Sequence, residues 1–149
     1  MPVEECLIDT NVLLRMTRRT DPHHPKAYSA LSQLSEQGTL YFTHQNIAEL
    51  WNVLTRPLAH NGFGLSKADA EKEVQAIEAG MTLLPDSERV YREWRRIVLD
   101  YGVSGAQVHD ARLAATMIVH GIRHILTFNA ADFRRYDDLI ALHPDSFSS

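Results

Sequence analysis

The 149-residue chain has one cysteine, no long apolar run and no surplus of positive charge. Cys6 alone cannot close an internal disulfide, and its place in the apolar stretch "CLI" suits a small packed hydrophobe. No stretch approaches the ~20 apolar residues of a membrane helix. The opening "MPVEECLID" carries two glutamates where a secretion signal wants positive charge. A soluble, cytoplasmic protein without a membrane partner is the expectation. Against 19 Asp and Glu stand only 15 Lys and Arg, a formal charge of -4, so bulk electrostatics does not advertise a nucleic-acid binder. A bound divalent ion or a local arginine cluster would act independently of that total. Internal repeats and low-complexity tracts are missing as well.

What the chain does have is 44% hydrophobic content at the size of one domain with a single core. Short apolar runs alternate with segments of helical spacing. "VEECLID", "TLYFT", "MTLLP", "RHILTF" and "DLIAL" read as strands. Helices are expected in "VLLRM", "KAYSALSQLSEQG" and "HQNIAELWNVLTRP", then in "SKADAEKEVQAIEAG", "DSERVYREWRRIVLDYG" and "HDARLAATMIVHG". "LAHNGFG" and "VSGAQV" read as loops, and "NAADFRRY" as a turn with a short helix. Strands separated by helices imply crossover connections, hence an α/β fold in three layers with a mainly parallel central sheet. Residues 1–142 form the single domain of this reading. The polar end "HPDSFSS", 143–149, is expected to be loose.

In such a sheet, ligands bind outside the carboxyl ends of the strands. Asp9 ends the first strand. Glu49 lies in the first turns of the helix after the second, Asp110 opens the helix after "VSGAQV", and Asn129 and Asp132 follow "HILTF". Four acids spread over most of the chain thus reach one rim, with Asn11 and Asn129 as neutral oxygen donors and no lysine beside them. Clustered carboxylates repel, and without a cation some take up protons. An all-oxygen set suits Mg²⁺ or Mn²⁺, and two such ions are a common device for hydrolysing phosphodiesters.

"LIDTNVLL", "THQNIAELWNVLTRP", "HDARLAATMI" and "ILTFNAADF" resemble, in order and over nearly the whole chain, the four motifs of the PIN-domain family. Within it the chain is similar to the VapC-like toxin nucleases. The resemblance implies a Rossmann-like PIN domain and a ribonuclease dependent on one or two Mg²⁺ or Mn²⁺ ions, leaving 5′-phosphate and 3′-hydroxyl ends. It also implies an RNA substrate, a small antitoxin protein and a homodimer. By the same resemblance Asp9, Glu49 and Asp110 are catalytic metal ligands, and Asn11 and Thr127 fill polar support positions. Family members often carry an acid where Asn129 stands, so Asp132 in the following "DF" pair is read as the fourth ligand. Asn129 then supports it.

Blander roles stand beside these. Asp9 suits an Asx turn or helix cap, and Asp110 a helix N-terminal charge favoured by the dipole. Flanked by Ile47, Leu50 and Trp51, Glu49 is expected near a buried edge. Arg15, Arg18 and Arg19 follow the first motif and are candidates for steering RNA phosphates. Arg92, Arg95 and Arg96 read as a solvated helix face. Trp51 and Trp94 sit in helical stripes and are read as core, and His109 as a surface or cap residue. The histidines lack the spacing of a zinc site. Two other functions compete. An aspartyl phosphatase would want a second aspartate where Asn11 stands and a later lysine, and no lysine follows Gln75. A stand-alone or catalytically weakened PIN-like module that binds RNA or protein is kept open by Asn129.

Overall fold

A computed structural model describes residues 2–147. In chain order its elements are β1 (Glu5–Ile8), α1 (Thr10–Met16), α2 (His24–Gln37), β2 (Thr39–Thr43), α3 (His44–Thr55) and α4 (Lys67–Gly80). There follow β3 (Thr82–Leu84), α5 (Glu88–Asp100), α6 (Gln107–His120), β4 (His124–Leu126) and β5 (Ile140–Leu142). Short 3₁₀ turns lie at Leu58–His60, Ala130–Phe133 and Pro144–Ser146. The strands pair in the order β3-β2-β1-β4-β5, and every pairing is parallel. The expected three-layer α/β/α architecture is therefore present, with a sheet wholly rather than mainly parallel. No helix among the described residues is long and apolar enough to cross a membrane.

Side chains along a strand point alternately to the two faces of the sheet, and here both faces are covered. On β1, Cys6 and Ile8 join an apolar cluster with Leu13, Leu31, Leu50 and Val74, from α1 to α4. Leu7 turns the other way, toward Ile97, Leu113 and Met117 of α5 and α6. β4 divides likewise, Leu126 on the first face and Ile125 on the second. Burial on both sides explains why these strands read as continuous apolar runs without polar alternation.

The strand order sets the position of the site. The chain builds outward from β1 through β2 to β3, then returns to the other side of β1 with β4. Connections leave β1 and β4 in opposite directions, and that divergence opens a crevice at their carboxyl ends. Asp9 directly follows β1 and Thr127 directly follows β4. The Asp9 backbone is tied across to β4, its N–H donating to Leu126 O at 3.0 Å, while Thr127 N–H donates to Leu142 O of β5 at 2.9 Å.

Local chemistry accounts for most boundaries. Ser66 Oγ caps α4 by accepting from Asp69 N–H at 3.1 Å, as the capping-box spacing predicts. Gly38 ends α2 for a packing reason: a Cβ there would lie 2.0 Å from the Glu4 carbonyl oxygen. That contact lets Thr39 N–H donate to Glu4 O at 2.9 Å and start β2 beside β1. Three helices begin earlier than expected. α1 starts at Thr10, directly behind its cap Asp9. α2 starts at His24 with Pro25 in its first turn, where a missing N–H costs nothing, and α6 starts at Gln107.

The expectation of a loose end from His143 does not hold through residue 147. Pro144 is buried, Ser29 Oγ donates to Phe147 O at 3.0 Å, and Phe147 packs on the first apolar cluster. An aromatic residue with an apolar face to fill outweighs the polar composition around it. Ser148 and Ser149 lie outside the described residues.

Candidate metal centre

Asp9 is 7% exposed and caps α1, its Oδ1 accepting from Thr10 N–H at 2.8 Å. Its Oδ2 accepts from Thr127 Oγ1 at 2.8 Å and, more weakly, from Asn11 Nδ2 at 3.5 Å. The helix-cap and site readings of Asp9 are thus one arrangement. Asn11 Nδ2 also donates to Thr127 Oγ1 at 3.2 Å, and its Oδ1 accepts from Phe128 N–H at 3.1 Å. Thr127, fully buried, further accepts from Asn129 N–H at 3.0 Å. Asn11 and Thr127 therefore clamp the Asp9 carboxylate between β1 and β4.

Glu49 is exposed, not at a buried edge. Its position in the second turn of α3 turns it toward the crevice rim, where Glu49 Oε1 accepts from Thr10 Oγ1 at 3.3 Å. Behind that hydroxyl lies a residue missing from the sequence reading. Asn46, wholly buried, donates through Nδ2 to Thr10 Oγ1 at 3.0 Å, and its Oδ1 accepts from Thr43 N–H and Thr43 Oγ1. The spacing Thr43-x-x-Asn46 is a capping-box signal with Asn in place of Glu or Gln. It was the only clue in the sequence.

Asp110 sits in the first turn of α6, half-buried, and Asp132 in the 3₁₀ turn after β4. Burial pushes the Asp9 carboxyl up to about 6, against the pull of the Thr127 and Thr10 hydrogen bonds, and Glu49 and Asp132 push it further. Asp110 also rises to about 6, first through burial and then through the charges of Asp9, Asp132 and Glu49, with His109 working the other way. Asp9 and Asp110 thus each feel the charge of Glu49 and Asp132. Asn129, with an exposed side chain, adds no charge to them.

Among the described residues none of these four carboxylates forms a salt bridge with Lys, Arg or His. Nor are any three His, Cys, Asp or Glu side chains already gathered into a group that could hold a metal ion. The donor set, however, has the chemistry of a hard-cation site: oxygen only, several carboxylates, and mutual repulsion that a cation would relieve. Asp9 is held by three donors, whereas Glu49 is exposed and held by the one hydrogen bond from Thr10 Oγ1. A nucleophilic role for Asp9, as in an aspartyl phosphatase, fits poorly, since Asn11 stands where that chemistry wants a second aspartate and no lysine follows Gln75.

The arginines after the first motif divide. Arg15 Nη1 pairs with Asp21 Oδ2 at 3.1 Å, and its guanidinium lies 6.0 Å from the Phe128 ring centre. Arg15 is thereby engaged in packing α1. Arg18 is exposed with its guanidinium 4.4 Å from the Phe63 ring centre, and Arg19 is exposed beside His24 and Tyr28. Of the three, only Arg18 and Arg19 form no salt bridge among the described residues.

The model of the PIN domain matches residues 6–139 of the chain, from the first residues of β1 to the approach of β5. The chain belongs to the PIN domain family. Among solved structures, one similar chain comes from VapBC2 of Rickettsia felis bound to a DNA fragment from its promoter, at TM-score 0.71 and 16% identity, covering 93% of this chain and 98% of that one. A second is Mycobacterium tuberculosis VapC20, described as a Sarcin-Ricin loop cleaving toxin, at TM-score 0.65 and 15% identity over 88% and 95% of the two chains. A chain of FitAB bound to the IR36 DNA fragment gives TM-score 0.69 and 23% identity, covering 93% and 94%. At these identities the likeness is one of fold. No curated protein matches the chain. The PIN match spans all four motifs, so Asp9, Glu49, Asp110 and Asp132 of this chain all fall within it.

Proposed function

We propose that this PIN domain is a divalent-metal-dependent endoribonuclease, working in the cytoplasm as the toxin of a toxin–antitoxin pair. The observation that carries this reading is the Asp9 carboxylate, buried and clamped by Thr127 and Asn11 at the point where β1 and β4 diverge, with Glu49, Asp110 and Asp132 around it and no cationic side chain paired to them. Asp9, Glu49, Asp110 and Asp132 would hold one or two Mg²⁺ or Mn²⁺ ions. When bound, such ions polarise a phosphodiester and make water a stronger nucleophile.

The residues of the chain supply placement. Thr127 and Asn11 hold one oxygen of Asp9, while Asn46 fixes Thr10, which in turn orients Glu49. Arg18 and Arg19 lie on the segment after α1 and draw the RNA backbone toward the rim. The antitoxin partner rests on the likeness in fold to chains from the VapBC2 and FitAB complexes and from a toxin–antitoxin complex of Klebsiella pneumoniae, and the homodimer on the family resemblance alone. The family supports cleavage to 5′-phosphate and 3′-hydroxyl ends.

The test is incubation of the purified chain with single-stranded RNA in Mn²⁺, then in EDTA, beside Asp9→Asn. Cleavage is expected with Mn²⁺ alone and only in the wild type. Cleavage that survives the chelator would sink the metal mechanism. A second reading, a weakened PIN-like binding module, is favoured by the neutral Asn129 and by the lack of a closed acid cluster. RNA binding without cleavage in any divalent ion would select it.

A further inference from the structure

A cleft of about 490 Å³ opens between α5 and the start of α6, apart from the four acids, and its lining includes His109, which precedes Asp110 in the first turn of α6. Its volume falls in the roughly 300–1,000 Å³ range of small-ligand sites. Tyr91 and Trp94 form its aromatic wall, ring centres 6.5 Å apart and tilted by 34°. Val90 forms its floor, and His109 and Arg112 lie on its α6 side.

Trp94 was expected in the core, yet it is only partly buried. Its indole N–H donates to Val108 O at 2.9 Å, which sets the ring against the start of α6. That bond satisfies its one polar atom. Tyr91 is 58% exposed, a large aromatic surface with nothing in the fold to cover it. The α6 side is also pinned, for Gln45 Nε2 donates to His109 O at 2.9 Å and Arg112 Nη2 meets Asp86 Oδ2 at 2.7 Å. Arg95, four residues on from Tyr91 and so on the same face of α5, is exposed and without an ion pair among the described residues, while Arg112 in the lining is taken up by Asp86.

Aromatic faces beside cationic side chains are what an unpaired RNA base and its phosphates require, because every base stacks and the backbone is anionic. A docked apolar protein segment would use the wall but leave Arg95 without a partner. We propose that this cleft seats one unpaired base of the substrate RNA, next to the phosphate lying at Asp110, and so selects where the strand is cut. The proposal rests on the ribonuclease reading above. Tyr91 is a binding residue in it, and Trp94 positions the wall.

Tyr91→Ala and Tyr91→Phe of the full chain test it, both at an exposed site that leaves the core intact. Binding of a labelled single-stranded RNA is read by anisotropy in EDTA, and cutting of the same RNA is mapped in Mn²⁺. Tyr91→Ala is expected to weaken binding by about 5- to 150-fold, the worth of one stacked base, and to spread the cut positions. Tyr91→Phe, which keeps the ring, is expected to restore both. If the wild type cuts RNA and Tyr91→Ala binds and cuts identically, the base site is wrong while the nuclease stands. Loss of self-association in Tyr91→Ala with RNA binding unchanged would make the cleft a protein interface and overturn the proposal. A wild type that neither binds nor cuts RNA removes the ribonuclease reading, and the base site with it.

Discussion

Asp9→Asn, unfolded in chelator across a pH series, isolates what it costs this fold to hold a carboxylate at the end of β1. The carboxyl is raised from 3.8 to about 6 by burial, so the folded chain keeps its proton longer than the unfolded chain. Between those values the folded state binds more protons, and stability falls as pH rises. The loss is absent below about pH 3.8 and complete above about pH 6. At about 1.4 kcal/mol per pH unit it amounts to about 3 kcal/mol from Asp9. Asp110, half-buried and raised in the same direction, adds a smaller share because water screens it. Asparagine also disturbs the hydrogen bonds of Thr127 and Asn11, but that cost does not depend on pH. The quantity to compare is therefore the change between pH 4 and pH 7.5, wild type against variant, from urea unfolding in EDTA. The wild type is expected to lose about 3 kcal/mol more than Asp9→Asn over that interval. Parallel stability curves would refute the strained-carboxylate account.

Two further substitutions probe the network behind the acids. Thr127→Val keeps the shape but leaves Asp9 Oδ2 only the long Asn11 contact and strands Asn129 N–H, so it should cost about 1–3 kcal/mol in urea unfolding at pH 7.5. It should also raise the Asp9 carboxyl further, since the Thr127 hydroxyl holds it down, and a carboxyl NMR titration reads that shift. Asn46→Ala removes the α3 capping box and the anchor of Thr10, with an expected loss of about 1–2 kcal/mol. Calorimetry should show weaker Mn²⁺ binding as well, because Glu49 loses its fixed partner. Unchanged Mn²⁺ affinity would mean that Glu49 is oriented by something else.

Much of this protein was legible in one dimension. Apolar runs broken by helical spacing specified alternating strands and helices, and that alternation permits little besides a parallel sheet with both faces covered. Asp9, Asp110 and Asp132 were legible because each ends a strand or opens the helix or turn at a strand's carboxyl end, a place that topology makes common ground. The ends of α2 and α6 were less legible, since a proline in a first turn and a loop of small residues look alike in sequence whether or not a helix has begun.

Other features depend on contacts between segments far apart in the chain. Asn11 and Thr127 are 116 positions apart, and only the pairing of β1 with β4 puts their side chains 3.2 Å from each other. Asn46 looked like an ordinary residue of an amphipathic helix until the crossing of α1 and α3 set it against Thr10. Trp94 followed a core-like stripe, yet the start of α6 covers only part of its ring, leaving the rest as the wall of a cleft. The sequence by itself determined the layered fold and which acids reach its carboxyl rim, because periodicity and strand ends are local properties. Which hydroxyls and amides hold those acids, which arginine is engaged in packing, and where an aromatic face stays open were decided by the tertiary structure, because hydrogen bonds and burial depend on distances that no spacing along the chain specifies.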